Sequence, residues 1–158
     1  MQEKILTHSN LRAWLAKQSE IPGKLIFTNG CFDLLHVGHI HYLRQAAALG
    51  KALIVGVNDD DSVSRLKGPQ RPLNKLQDRM QMLAALDSID AVIPFSEDTP
   101  ESLIQLITPD ILVKGGDYTV DEVVGGKHVI ANGGEVIILD FLQGYSSTSL
   151  IEKIKNNL

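Results

Sequence analysis

Short runs of consecutive apolar residues alternate along this chain with stretches whose apolar positions recur every three or four residues. LIFTN (25–29), ALIVGVN (52–58), AVIPF (91–95), ILVKGG (111–116) and EVIILD (135–140) have the length and composition of strands. ALIVGVN shows no polar alternation, which predicts a strand buried on both faces. Between these runs the period changes. Leu11, Trp14 and Leu15 predict a helix over Asn10–Lys17, ended before Ile21-Pro22-Gly23. Ile40, Leu43 and Ala47 predict one from Gly38 to Leu49, with Gly50 as a left-handed cap. Asn74 with Gln77 resembles a capping box ahead of Leu76, Met80 and Leu83, which share a face. Thr99-Pro100-Glu101 reads as a helix start with the threonine as N-cap and proline first in the helix. Asp59-Asp60-Asp61 reads as the charged start of a short helix, not a metal cluster. A last helix is expected from Ser147 to Ile154, with Leu150, Ile151 and Ile154 facing inward.

Apolar strands alternating with amphipathic helices across short turns predict an α/β fold. The expected form is a Rossmann-like doubly wound parallel sheet of about five strands with helices on both faces. The chain of 158 residues suits a single domain, 1–158, with residues 1–20 as an N-terminal helical extension. In such sheets ligands bind at the carboxyl ends of the strands, where strand order reverses. The unusual residues of this chain sit at those ends.

Composition narrows the chemistry. At 44% hydrophobic and 22% charged the chain is ordinary globular protein. No apolar stretch reaches the roughly 18 residues of a membrane span, and MQEKILTHSN lacks a signal-peptide core, so a cytoplasmic address and no membrane partner are expected. The single cysteine, Cys31, excludes an internal disulfide and a cysteine-rich zinc site. A net charge of −4 argues against nucleic acid as a partner. A small phosphorylated ligand needs only a few local cations.

TNGCFDLLHVGH (28–39) follows the first strand and carries the strongest signal. A helix start already favours an anion through its unpaired N–H groups and dipole. His36 and His39, three apart, add imidazole donors that could follow charge into a transition state. Gly38 removes a side chain that would obstruct close approach, and Asn29-Gly30 gives a tight turn beyond which the backbone of Cys31 and Phe32 can line a pocket. Asp33 is expected to order the turn. The alternative for the pair is two surface histidines at a helix start.

These residues resemble the HxGH nucleotidylyltransferase superfamily, whose pattern T-x-G-x-F-D-x-x-H-x-G-H is matched by Thr28, Gly30, Phe32, Asp33, His36, Gly38 and His39. SVSRLKGPQRPLN, VIPF with TPESLIQLITPD, ILVKGGDY and a late GYSST narrow the resemblance to heptose-1-phosphate adenylyltransferases, which in many bacteria are fused behind a heptose-7-phosphate kinase. That resemblance implies transfer of AMP from ATP to D-glycero-β-D-manno-heptose 1-phosphate, giving ADP-heptose and pyrophosphate for lipopolysaccharide or other surface-glycan precursors. ATP as co-substrate, Mg2+ carried on it, small-molecule partners and a homodimer are implied with it. His36, His39 and Lys67 would be catalytic. Asn29, Gly30, Cys31, Phe32, Gly38, Lys114, Gly115, Asp117, Gly144, Tyr145, Ser146, Ser147 and Thr148 would join the histidines around the nucleotide. Lys67, Arg71 and Arg79 would face the acceptor.

The alternatives are local and concrete. Lys67 and Lys114 could be ordinary solvated lysines, Arg79 a helix-surface ion pair, and Ser146 or Ser147 a simple N-cap. Cytidylyltransferase relatives typically carry R-T-x-G-I-S-T-T where this chain has Phe141-Leu-Gln-Gly-Tyr-Ser-Ser-Thr148, without the arginine, which favours ATP over CTP. A CTP-dependent enzyme for glycerol 3-phosphate and a non-catalytic nucleotide-binding module remain as competing readings.

Overall fold

The structure, a computed structural model, describes residues 1–158. Five strands, β1 (Leu25–Gly30), β2 (Ala52–Asn58), β3 (Ala91–Phe95), β4 (Ile111–Gly115) and β5 (Glu135–Leu139), form one sheet in the order β3-β2-β1-β4-β5. Every pairing is parallel. Strand order reverses at the β1–β4 junction, so the loops leaving these two strands diverge above a cleft. The expected fold class and all five strands are observed. β2 is buried along its whole length, as its unbroken apolar run requires.

The helices are α1 (His8–Ser19), α2 (Val37–Ala47), α3 (Asp60–Lys67), α4 (Leu76–Ala84), α5 (Glu101–Ile107), α6 (Gly126–Ala131) and α7 (Ser147–Asn156). Successive strand residues point to opposite faces, and the core divides accordingly. Phe27, Ile54 and Ile93 meet Leu11 of α1, Leu103, Ile104 and Ile107 of α5 and Val129 of α6. On the other face Ile26, Leu53, Val55 and Val92 meet Tyr42, Leu43 and Ala46 of α2 and Met80, Leu83 and Ala84 of α4. The N-terminal segment joins the first face: Leu6 and Leu11 are buried, and the Leu6 N–H donates to the carbonyl of Val92. No helix is long and apolar enough to cross a membrane.

Two aspartates fix how the strands begin. The Asp110 carboxylate accepts from the N–H of Leu25 at 2.7 Å, and that of Asp90 accepts from Leu53 at 2.8 Å. Each aspartate thereby ties the start of one strand to the approach of its neighbour, satisfying an end N–H that the ladder leaves unpaired.

Local expectations fail where a distant partner intervenes. α4 starts at Leu76 with Lys75 as N-cap, and there is no Asn74–Gln77 box. Asn74 instead donates its backbone N–H to the Asp33 carboxylate and its amide to the Asp33 carbonyl. α5 starts one residue later than the Thr99 cap implies, with Pro100 in the cap position. α6 had no apolar period to announce it. Ile154 of α7 is 57% exposed, so only the first half of that helix lies against the body. Gly50 is not a left-handed cap, since its φ is not positive. A Cβ there would sit 2.2 Å from the carbonyl oxygen of Lys24, which accepts from the N–H of Lys51. Gly50 lets the turn into β2 press onto the approach to β1. Gly50→Ala should therefore destabilise the fold by about 1–3 kcal/mol, the cost of overpacking against backbone, read as a lower urea midpoint at unchanged slope.

Candidate active site

The exit of β1 builds the floor. Thr28, 1% exposed, shares a 2.6 Å hydrogen bond with the Tyr42 hydroxyl and donates to the Val113 carbonyl at 3.0 Å. The motif threonine is thus a fastener, locking α2 to β1 and β4 beneath the cleft. Burial pushes the Tyr42 phenol up to about 12, so it stays a neutral donor. Phe32 then takes a left-handed backbone, φ 48°, which costs a non-glycine residue of order 1–2 kcal/mol. Its ring is buried against Gly30, where a Cβ would come within 2.9 Å of it, and meets His39 edge-on at 5.3 Å.

His36 is the N-cap of α2 in extended conformation and His39 lies in the first turn. The two rings stack at 3.8 Å between centroids with 23° between planes. Gly38 makes that stack possible: a Cβ there would lie 2.9 Å from His36 Nδ1 and 3.1 Å from the Cβ of Tyr145. Gly38 therefore admits an imidazole and the α7 loop, beyond any approach of ligand. Burial, the charge of His36 and that of Lys67 lower His39 to about 4, and burial lowers His36. Both rings are neutral near pH 7. The Nδ1 atoms of both are buried without a hydrogen-bond partner. Orphaned polar atoms at a helix N-terminus without acidic residues in its first turn mark a place where a ligand supplies what the protein withholds.

Cations frame this turn. Lys67 ends α3, and Gly68, φ 105°, turns the chain into the following loop. Asp33, buried to 2%, holds that loop down: its carboxylate accepts from Arg71 Nε at 2.6 Å and from the N–H groups of Leu73 and Asn74 at 2.8–2.9 Å. Burial opposes ionisation of Asp33, but the Asn74, Leu73 and Arg71 hydrogen bonds outweigh it and keep the carboxyl below its usual range. Asp33 orders the turn as expected, and the basic loop with it.

One cleft of about 890 Å³ gathers sixteen of the eighteen residues singled out in the sequence. They are Asn29, Gly30, Cys31, Phe32, His36, Gly38, His39, Lys67, Arg71, Lys114, Gly115, Gly144, Tyr145, Ser146, Ser147 and Thr148. Ser146 caps α7 by accepting from the Ser149 N–H at 3.0 Å, while Ser147 Oγ reaches the Leu34 carbonyl at 3.2 Å, drawing the α7 N-terminus beside the histidines. Lys114, its pKa lowered by burial, lies 5.2 Å from the centre of the Tyr118 ring.

Two expectations are corrected. Arg79 does not reach the cleft. It is fully buried, and its guanidinium donates to the carbonyls of Cys31, Asn58 and Asn74 and to the Asp60 carboxylate. With its donors so engaged, Arg79 has nothing to offer an acceptor. Asp117 is exposed on the turn after Gly116, outside the cleft lining. Residues missed in the sequence include Asn58 at the end of β2, Asp98 to Pro100 after β3, and Val123, Val124, Phe141 and Leu142. The strand-end rule alone would have pointed to Asn58 and to the β3 exit; of the apolar members only Phe141 stood out, as the residue in place of the relatives' arginine.

The cytidylyltransferase-like family model matches residues 27–153, which takes in all five exits around this cleft. The chain belongs to the cytidylyltransferase-like family. It is 60% identical over 130 residues to the bifunctional protein HldE of Marinomonas sp., covering 82% of this chain and 27% of that protein. Over 151 residues it is 54% identical to HldE of Haemophilus influenzae, covering 96% of this chain and 32% of that one. The chain thus spans about a third or less of the curated relatives it matches. Among solved structures, the lipopolysaccharide core biosynthesis protein of Thermoplasma volcanium aligns with TM-score 0.62 and 29% identity, over 79% of this chain and 100% of that one. The pantoate-beta-alanine ligase of Francisella tularensis, crystallised with beta-gamma ATP and beta-alanine, shares the fold with TM-score 0.58 at 16% identity, over 96% of this chain and 77% of that one.

Two outcomes check this geometry. Arg79→Leu takes the guanidinium from three carbonyls and leaves Asp60 with the Leu76 N–H as its hydrogen-bond donor, and should cost about 3–5 kcal/mol of stability, measured by urea unfolding. For His39 the folded value is depressed from 6.5 to about 4, so in that window the unfolded chain takes up a proton the folded chain refuses. Stability relative to His39→Asn should fall as pH drops from 6.5 towards 4 and be level above 6.5; a flat difference across the whole range would contradict the burial of His39.

Proposed function

We propose that this chain transfers AMP from ATP to D-glycero-β-D-manno-heptose 1-phosphate, releasing pyrophosphate and forming ADP-heptose. The observation that carries the reading is the stacked His36–His39 pair, with both Nδ1 atoms unpartnered at the start of α2, in a cleft that also takes in Lys67, Arg71 and Lys114. Its high identity to HldE proteins supports a heptose-type acceptor over others.

The chemistry asks for positioning and charge, not for a base. A sugar phosphate is largely ionised near neutral pH, so its oxygen attacks the α-phosphorus directly. One P–O bond forms to the acceptor, the bond to the β,γ-phosphates breaks, and pyrophosphate leaves with the electron pair. Two polyanions must be held in line while negative charge moves onto the leaving group. Neutral histidines suit that task. A triphosphate beside them raises their proton affinity, so the pair gains positive charge as the anion arrives and needs none while the site is vacant. The N-termini of α2 and α7 add backbone donors on either side. Lys67, on the cleft wall, is the residue we assign to the α-phosphate or the acceptor phosphate, with Arg71, paired to Asp33, on the same wall. No group of three or more His, Cys, Asp or Glu side chains converges to cage a metal. Mg2+ would arrive on the triphosphate oxygens and neutralise the departing pyrophosphate.

A pyrophosphate-release screen with ATP or CTP, Mg2+ and a panel of phosphorylated acceptors tests the proposal. Turnover should require ATP and the heptose 1-phosphate, and His39→Ala should lower kcat on the order of 10²-fold, the scale for one transition-state donor. Equal or better turnover of CTP with glycerol 3-phosphate would replace this reading by the cytidylyl one.

A further inference from the structure

Phe141 follows β5 by two residues and is 63% exposed, yet its ring is not loose. A Cβ on Gly115 would stand 2.7 Å from Phe141 Cε1, and one on Gly116 2.8 Å from its Cε2. On Gly115 the same Cβ would also meet the Tyr42 ring at 3.0 Å, so two aromatic rings crowd the space a side chain would take where the chain leaves β4. Tyr42 is in turn fastened through its hydroxyl to Thr28, and the two ring centroids lie 6.5 Å apart. The paired glycines thus seat an aromatic side chain against the turn, and the rest of that ring is left open to the cleft.

Exposing most of a phenyl ring forfeits about 25 cal/mol for each Å² left in water, and here the exposed surface lines the same cleft as the histidine turn. Three exposed aromatic rings rim this cleft, those of Tyr118, Phe141 and Tyr145. Tyr118 lies beneath the Lys114 ammonium, and Tyr145, anchored at its Cβ beside Gly38, carries a phenolic hydroxyl on its ring. Phe141 carries neither a polar handle nor a cation. Its open surface matches one thing a nucleotide presents: the flat face of its base. We infer that Phe141 is the base-stacking residue of this site and that it favours purine over pyrimidine nucleotides. The preference follows from area, because a bicyclic base covers more of the ring than a monocyclic one, and stacking of this kind is not read through hydrogen bonds.

This inference rests on the proposal that the cleft binds a nucleoside triphosphate. Calorimetry with a non-hydrolysable ATP analogue, CTP and inorganic tripolyphosphate separates the two. The intact chain should bind all three, the ATP analogue most tightly. Phe141→Ala and Phe141→Leu, the second keeping apolar bulk without a π-face, should weaken the ATP analogue on the order of tenfold, weaken CTP less, and leave tripolyphosphate unchanged. Phe141→Trp should restore the ATP affinity. Variants that bind the ATP analogue as well as the parent, or better, would overturn the inference, since the ring would then be idle or sitting in the base's place. Equal losses for tripolyphosphate would overturn it too, by showing that the ring only supports the loop. Failure of the parent to bind any triphosphate would remove the proposed function together with it.

Discussion

A single guanidinium gathers the upper half of this molecule. Arg79, on α4 and fully buried, donates to the carbonyls of Cys31, Asn58 and Asn74 and to the carboxylate of Asp60. Those four residues belong to the exit of β1, the exit of β2, the loop before α4 and the first turn of α3. A planar, permanently charged fork with five donors can hold several acceptors at fixed angles, which an ammonium cannot do as well. A buried charge also forbids partial satisfaction, because each lost acceptor leaves an uncompensated group in a low dielectric. The loops that line the cleft are therefore fixed from below, out of reach of the ligand they surround.

Asp33 repeats the arrangement with opposite sign. Its carboxylate is fully enclosed by Arg71 and two backbone N–H groups, and it binds the basic loop to the histidine turn. Lys67, Arg71 and Lys114 line the cleft, while three acids of its lining are paired: Asp33 with Arg71, Asp98 with Arg65 and Glu122 with the Thr119 N–H. Such a wall would repel itself if every basic group were ionised at once. The stacked histidines avoid this by staying neutral near pH 7, burial holding His39 at about 4. The cleft thus gathers basic groups without storing a large positive charge.

Glycines divide into those that turn the chain and those that make room. Gly68, with φ 105°, turns it. Gly38, Gly50 and Gly115 are needed because another atom lies where a Cβ would be: an imidazole nitrogen, a carbonyl oxygen and two aromatic rings. Sequence pattern suggests close approach at Gly38 and a left-handed cap at Gly50, and does not say which atoms make either necessary. Only the packing tells that Gly38 exists for His36 and Gly115 for Phe141 and Tyr42.

The sequence by itself determined the parallel α/β class, all five strands and the location of the histidine turn. Those features are written in local periodicity: unbroken apolar runs for strands buried on two faces, a 3.6-residue period for helices, and a dense motif at the end of the first strand. Sixteen of the eighteen residues that the motif and the family resemblance named also line one cleft, at the edge where the strand ends of a parallel sheet gather. The tertiary structure decided what local pattern cannot encode. An arginine on an amphipathic helix looks solvated until four acceptors from distant segments close around it, which is why Arg79 belongs to the scaffold and not to the ligand. A capping box at Asn74 loses to a buried carboxylate forty-one residues away. In the chain Phe141 shows only as the residue standing where cytidylyltransferase relatives carry arginine; its place at the cleft follows from glycines met only when β4 and β5 lie side by side. Periodicity reports each element's own face; which groups compete for one buried donor or one free ring is settled when the elements pack.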